Sequence, residues 1–229
     1  MLVVAAHPDD VDFGAAGAVA AFTAAGVEVA YCLVTDGEAG GDDRSLPRTE
    51  MARIRRDEQR AAAAEVGVDD VTFLGHPDGR LEPTIDVRRD ITRIIRRVRP
   101  QRVIAPSPER AWERIFASHP DHLAAGAAAA AAVYPDSRNP FAHPELLGEG
   151  LEPWAVDELW LMAHPTVTIA VETTASFPRK LAALRRHRSQ VGDGAGLERR
   201  LREWGERVAA ECGLAPGSLA EGFLRVRTA

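Results

Sequence analysis

Lysine is almost absent from this 229-residue chain: Lys180 is the only one, and the other 27 of the 28 basic residues are arginine. No G-x-x-x-x-G-K-[ST] segment occurs, which excludes a P-loop that sets a lysine against β- and γ-phosphates. G-x-G-x-x-G is also missing. Gly14-Ala15-Ala16-Gly17 comes nearest, and its small residues read as close helix–sheet packing, which disfavours a nucleotide-binding oxidoreductase. Ser107, Ser118 and Ser176 lack the G-x-S-x-G context of a serine nucleophile. Cys32 and Cys212 lie 180 residues apart without a C-x-x-C, arguing against a disulfide framework or a thiolate zinc site; each reads as a buried small apolar residue. No uncharged apolar window of about 18 residues exists, and the Ala127–Ala132 run is too short to cross a bilayer. Met1–Ala6 has neither the basic flank nor the length of a signal peptide, so a cytoplasmic chain is expected. The 34 acidic residues leave a net charge of −6, which offers no footprint for a phosphate backbone and argues against nucleic acid as a partner.

The remainder, 45% hydrophobic, suits one globular domain over residues 1–229. Strands are predicted at Leu2–Ala6, Val27–Val34, Val71–Leu74 and Arg102–Ala105, separated by helices at about Gly14–Gly26, Arg48–Val66 and Val87–Val98. A helix over Ser118–Tyr134, strands at Ala155–Ala163 and Val167–Val171, and helices at Phe177–His187 and Leu197–Cys212 complete the pattern. Such alternation predicts an α/β fold, a Rossmann-like, mostly parallel sheet with helices on both faces. Pro135–Pro153, with four prolines, reads as an ordered surface excursion, and the arginine runs at Arg53–Arg56 and Arg93–Arg99 read as solvated helix faces. The tryptophans, Trp112, Trp154, Trp160 and Trp204, read as core or surface-covering aromatics.

Ligands of parallel sheets bind beyond the carboxyl ends of the strands, so the loops after Ala6, Val34, Leu74 and Ala105 are the places to look. The first holds His7-Pro8-Asp9-Asp10. The last leads to Ser118-His119-Pro120-Asp121-His122, where Ser118 is the expected N-cap, Asp121 its capping-box partner, and His119 and His122 share a helix face. Five of the seven histidines precede proline, so His-Pro by itself carries little, and His-Pro-Asp in a loop is also ordinary turn chemistry. The doubled acid and the second histidine favour a metal. Adjacent carboxylates repel unless a cation compensates them, and two histidines with one carboxylate would hold zinc while leaving a fourth position for water. Asp78-Gly79 is either a turn or an acceptor for a sugar hydroxyl, and Arg55 either surface or an anion-binding group.

These segments, with Thr35–Gly40, Arg55–Glu58, Pro77-Asp78-Gly79 and Lys180…His187–Gln190, resemble the PIG-L/LmbE family of zinc-dependent de-N-acetylases. The resemblance implies His7, Asp10 and His122 as ligands of one Zn2+ per chain, other divalent metals being an alternative. It implies Asp9 as general base, His119 as the electrophilic or proton-donating histidine, Asp121 as the group orienting it, and Arg55 and Asp78 as substrate contacts. The implied reaction removes an acetyl group from an N-acetylglucosamine-type amino sugar or glycoside through a metal-activated water. Alternatives are an amidase acting on a sugar-thiol conjugate or antibiotic intermediate, and a non-catalytic metal- or sugar-binding module. Relatives include homo-oligomers, so a homo-oligomer is compatible with the resemblance. The sequence departs from the family at two points. Val11-Asp12 follows the double aspartate where many members have glutamate, and Phe116-Ala117-Ser118 stands where some relatives use a tyrosine.

Overall fold

Every residue of Leu2–Ala5 is apolar because helices cover both sides of the strand it forms. Leu2 and Val4 pack into one core cluster, whereas Val3 and Ala5 pack into another on the opposite face, as the two-residue period of a strand requires. The computed structural model describes residues 1–192 and 194–228. Its strands are β1 (Leu2–Ala5), β2 (Ala30–Thr35), β3 (Asp70–His76), β4 (Arg102–Pro106), β5 (Glu158–Met162), β6 (Ile169–Glu172) and β7 (Ala220–Arg227). They form one sheet in the order β3-β2-β1-β4-β5-β7-β6, parallel from β3 to β5, with β7 antiparallel to both its neighbours.

The helices in chain order are α1 (Asp10–Gly14), α2 (Ala16–Ala24), α3 (Arg48–Glu65), α4 (Ile85–Val98), α5 (Pro120–Ala131), α6 (Glu145–Gly148), α7 (Phe177–Leu184), α8 (Arg188–Val191) and α9 (Leu197–Glu211). Residues of α4 and α5 share the cluster of Leu2 and Val4; residues of α2, α3 and α7 share that of Val3 and Ala5. Chain order climbs from β1 to β3 on one side and then crosses back to β4 on the other. The loops after β1 and β4 therefore diverge, and a crevice forms between them.

Several expectations are corrected. Helical structure starts at Asp10, earlier than Gly14, because the Asp9 carbonyl already accepts from the amides of Asp12 and Phe13. β2 begins at Ala30, where its partner Leu2 begins, so Val27–Val29 have no strand to pair with. β7 was not expected from the sequence. Arg96 is buried and donates to the carbonyls of Asp136, Ser137, Asn139, Ala142 and Leu151, fastening the proline-rich excursion to α4. Cys32 is buried as expected, but Cys212 is exposed. Gly17 is a packing position: a Cβ there would stand 2.9 Å from Thr173.

Candidate active site

His7 follows β1 and Asp9 sits at the N-cap of α1 with φ 95°, a left-handed conformation that a non-glycine residue keeps only when its surroundings hold it there. The Asp9 amide donates to Gln59 Oε1 at 2.8 Å, and Gln59 Nε2 donates to Asp12 Oδ2 at 2.9 Å. A carboxylate only accepts, so this pairing fixes which way the Gln59 amide points. His187 Nε2 meets the same Asp12 oxygen at 2.8 Å, and Gln59, Asp12 and His187 are all completely buried. Arg55 donates to the carbonyls of Gly37 and Pro8 and lies 3.3 Å from Asp9 Oδ2. Its surface reading is overturned, because only 3% of the residue is exposed. Gly37, at φ 69°, is where the chain passes the guanidinium: a Cβ there would lie 2.5 Å from Arg55 Nη1.

The second histidine pair arrives on the first turn of α5. Ser118 is not its N-cap; the Ser118 hydroxyl instead accepts from the Ala111 amide. His119 caps the helix, its Nδ1 accepting from the Asp121 amide at 3.2 Å. The Asp121 carboxylate, freed from any capping box, accepts from the amides of Gly79 and Leu81 and stands 3.2 Å from His7 Nε2. Asp121 thus contacts His119 through its backbone and His7 through its carboxylate. Gly126 lets α5 approach the end of β4, since a Cβ there would come within 2.4 Å of the Pro106 carbonyl.

His7, Asp9, Asp10, Asp78, His119, Asp121 and His122 therefore gather at one sheet edge. Two triads, His7–His119–His122 and His7–Asp78–Asp121, have potential ligand atoms within 4.8 Å of one another. Neither is the His7–Asp10–His122 set, and the hydrogen bonds discriminate among the three. His7 Nε2 faces Asp78 Oδ1 at 3.0 Å as well as Asp121, and His122 Nδ1 faces the Ala117 carbonyl at 3.2 Å. Those nitrogens carry protons, because their partners only accept. The nitrogens left over, His7 Nδ1 and His122 Nε2, both point to Asp10, at 3.4 and 2.9 Å. Metal-binding histidines have this pattern, the far N–H held by a carboxylate or carbonyl and the near lone pair turned to the ion. Asp78 is already engaged by His7 and by the Ala39 amide. His119, with Nδ1 taken by an amide, presents Nε2–H, a donor rather than a lone pair. Both of these nitrogens converge on the Asp10 carboxylate, so His7, Asp10 and His122 form a third possible donor group beside the two triads.

Burial pulls the His7 imidazole down, but Asp10, Asp121 and Asp78 outweigh it and push it up to about 12. Burial raises the Asp10 carboxyl, yet His122 and His7 hold it well below the usual carboxylate range. Burial, then Asp10 next door, raises Asp9 to about 7 against the pull of Arg55. His119 is lowered by burial and by the neighbouring His7 and His122. The Asp10 carboxylate thus draws positive charge to its side of the site, raising both His7 and His122.

A family model described as GlcNAc-PI de-N-acetylase, PIG-L, matches residues 2–133. The chain belongs to the PIG-L family. It is 32% identical over 190 residues to a diacetylchitobiose deacetylase of Thermococcus kodakarensis, covering 83% of this chain and 69% of that protein. To a probable N-acetyl-alpha-D-glucosaminyl L-malate deacetylase 2 of Bacillus cereus it is 33% identical over 198 residues, covering 83% of each. The solved N,N'-diacetylchitobiose deacetylase of Pyrococcus horikoshii superposes with a TM-score of 0.90 at 33% identity, covering 99% of this chain and 83% of the other. PIG-L membership makes the chain a metal-dependent deacetylase by family, and no helix among the described residues is long and apolar enough to cross a membrane.

No local motif in the sequence marks Gln59, Asp12 and His187 as site residues. The signal lay in α3, where Met51, Arg55, Gln59 and Ala62 are buried on one stripe. Two polar residues on the core-facing stripe of an amphipathic helix need buried partners. The missing phenol finds no substitute: Tyr31 is buried in β2, and Tyr134 lies beyond the far end of α5. Ala117 supplies a carbonyl to His122 instead.

Proposed function

We propose that the protein is a zinc-dependent hydrolase that removes the N-acetyl group from an N-acetylglucosamine-type amino sugar or glycoside. The observation that carries this reading is the pairing of His7 Nδ1 and His122 Nε2 on Asp10 with both outer ring nitrogens already engaged. Zinc held there supplies Lewis acidity and lowers the pKa of bound water toward about 7. Asp9, next to a ligand but held apart by Gln59 and Arg55, takes the water proton as general base. His119 Nε2–H donates to the oxygen of the tetrahedral intermediate, a role whose loss costs about 10²–10³ in rate elsewhere. With its Nδ1 engaged by the Asp121 amide, His119 has no second proton to give. The proton on Asp9 therefore returns to nitrogen as the C–N bond breaks, and water's oxygen leaves in acetate. Asp121 sets both His7 and His119, while Asp78 steadies His7 and lies within reach of a sugar hydroxyl at the same edge.

Elemental mass spectrometry after zinc loading and desalting, with assay of amine release from N-acetylglucosamine and N,N'-diacetylchitobiose, tests the reading. One zinc per chain and stoichiometric acetate are expected. A folded protein that retains no zinc overturns it.

A further inference from the structure

A cavity of about 590 Å³ opens beside Asp10 and His122. Its wall is made by Phe13 of α1, Phe116, Met162 at the end of β5, and Leu201 and Trp204 of α9. Glu113, Arg114, Arg200 and Arg207 also stand in the wall, Glu113, Arg200 and Arg207 from exposed positions, and the arginines' aliphatic stems extend its apolar surface. Asp9, Asp78, Arg55 and His119 are not among its lining residues. A cavity of this volume matches sites that enclose whole small molecules, of about 300–1,000 Å³. The methyl of an acetyl group is about the size of a water, whose share of liquid volume is about 30 Å³, and would fill a small fraction of it. Sugar hydroxyls would find partners at Glu113 and the arginines but few on the aromatic and aliphatic remainder, at a loss of roughly tenfold or more in affinity for each group left unpaired there.

The proposed reaction fixes what faces this space. An amide carbonyl carbon carries an oxygen, a nitrogen and an acyl chain. The oxygen turns to His119 and the nitrogen to Asp9, neither of which lines the cavity, so the acyl chain is the substituent left for the wall beyond Asp10 and His122. Resting on that reading, we infer that the cavity is an acyl-chain site and that the enzyme prefers amino sugars N-acylated with chains longer than acetyl, of about four to eight carbons. Each methylene buried there is worth up to about fourfold in affinity.

Calorimetric titration of the zinc-loaded protein with acetate and with hexanoate, the two product carboxylates, tests the site without turnover. Hexanoate should bind at least tenfold tighter. Leu201→Trp should bring the two within threefold of one another. Phe116→Asp, at a position 80% exposed and so tolerant of change, should also reduce the preference if the bulkier variant fails to fold. In parallel, kcat/KM for N-hexanoylglucosamine should exceed that for N-acetylglucosamine by at least tenfold. Equal affinity for acetate and hexanoate overturns the inference. So does a gain that follows the alkyl length of N-acetylglucosamine glycosides instead of the acyl length, which would give the cavity to the aglycone. Hexanoate preference with no amine release from any substrate would uphold a chain site and remove the hydrolase reading alone.

Discussion

Residues up to His122 supply every charged group gathered at the crevice, whereas the chain after Pro135 supplies buried anchors and the far wall of the cavity. The first part offers His7 and Asp9 directly after β1, Asp10 at the start of α1, and His119 and His122 at the start of α5. The second sends Met162, Leu201 and Trp204 to the cavity and buries His187 against Asp12. It also buries Lys180, whose ammonium is shared by the Phe13 carbonyl and by Glu221, the carboxylate that accepts from the amides of Gly17 and Ala18 at the start of α2. The lesson is a division of labour. Reactive groups cluster where the topology opens a crevice, and the later elements fix the short helix that begins at Asp10 and is capped by Asp9.

Substitutions at four positions would break or sharpen that division. His122→Ala should reduce bound zinc from near one per chain to near zero and amine release by at least about 10³, since a ligand and the metal's chemistry go together; elemental analysis beside the activity assay checks both. Asp9→Ala should keep zinc while kcat falls about 10²–10⁴, the usual worth of a positioned proton acceptor. Retention of wild-type kcat would remove Asp9 from the mechanism. His187→Leu reaches the same chemistry from the later part of the chain. It leaves Asp12 short of a donor, and kcat should drop about 10–100-fold with zinc and KM little changed, the scale seen for groups that act through a ligand's neighbour. Rescue by His187→Gln, which can still donate to Asp12, would separate positioning from general loss of structure. Leu184→Ala, in the cluster that joins α7 to α9, should cost about 2–5 kcal/mol of stability by thermal or urea unfolding while the folded fraction keeps its zinc and its turnover within twofold.

The sequence carried this division unevenly. The parallel part was legible because most of its strands centre on short apolar runs bounded by turn residues, and because His7–Asp10 and His119–His122 are local motifs. β7 was not, since Ala220–Arg227 mixes charge with apolar residues and gains strand identity only by pairing with β5 and β6. Asp9's hold was equally hidden: its partner Gln59 lies 50 residues away, and Asp12 meets His187 across 175. Ser118 was misjudged for a local reason. The hydroxyl that would have capped α5 is spent on Ala111, and an imidazole one residue later takes the capping place.

The crevice between β1 and β4 has a consequence for folding as well as for chemistry. His7 and the carboxylate of Asp121 are 114 residues apart in the chain, and His122 follows directly after. No fragment ending before α5 contains the whole proposed donor set, so a cation held by it would bind the assembled sheet and not its parts. Such an ion is a stitch across the crossover: at a hundred times its dissociation constant it adds about 2.7 kcal/mol to the folded state. Chelation should accordingly lower the melting temperature of the whole chain, and zinc should raise it in proportion to the logarithm of its free concentration.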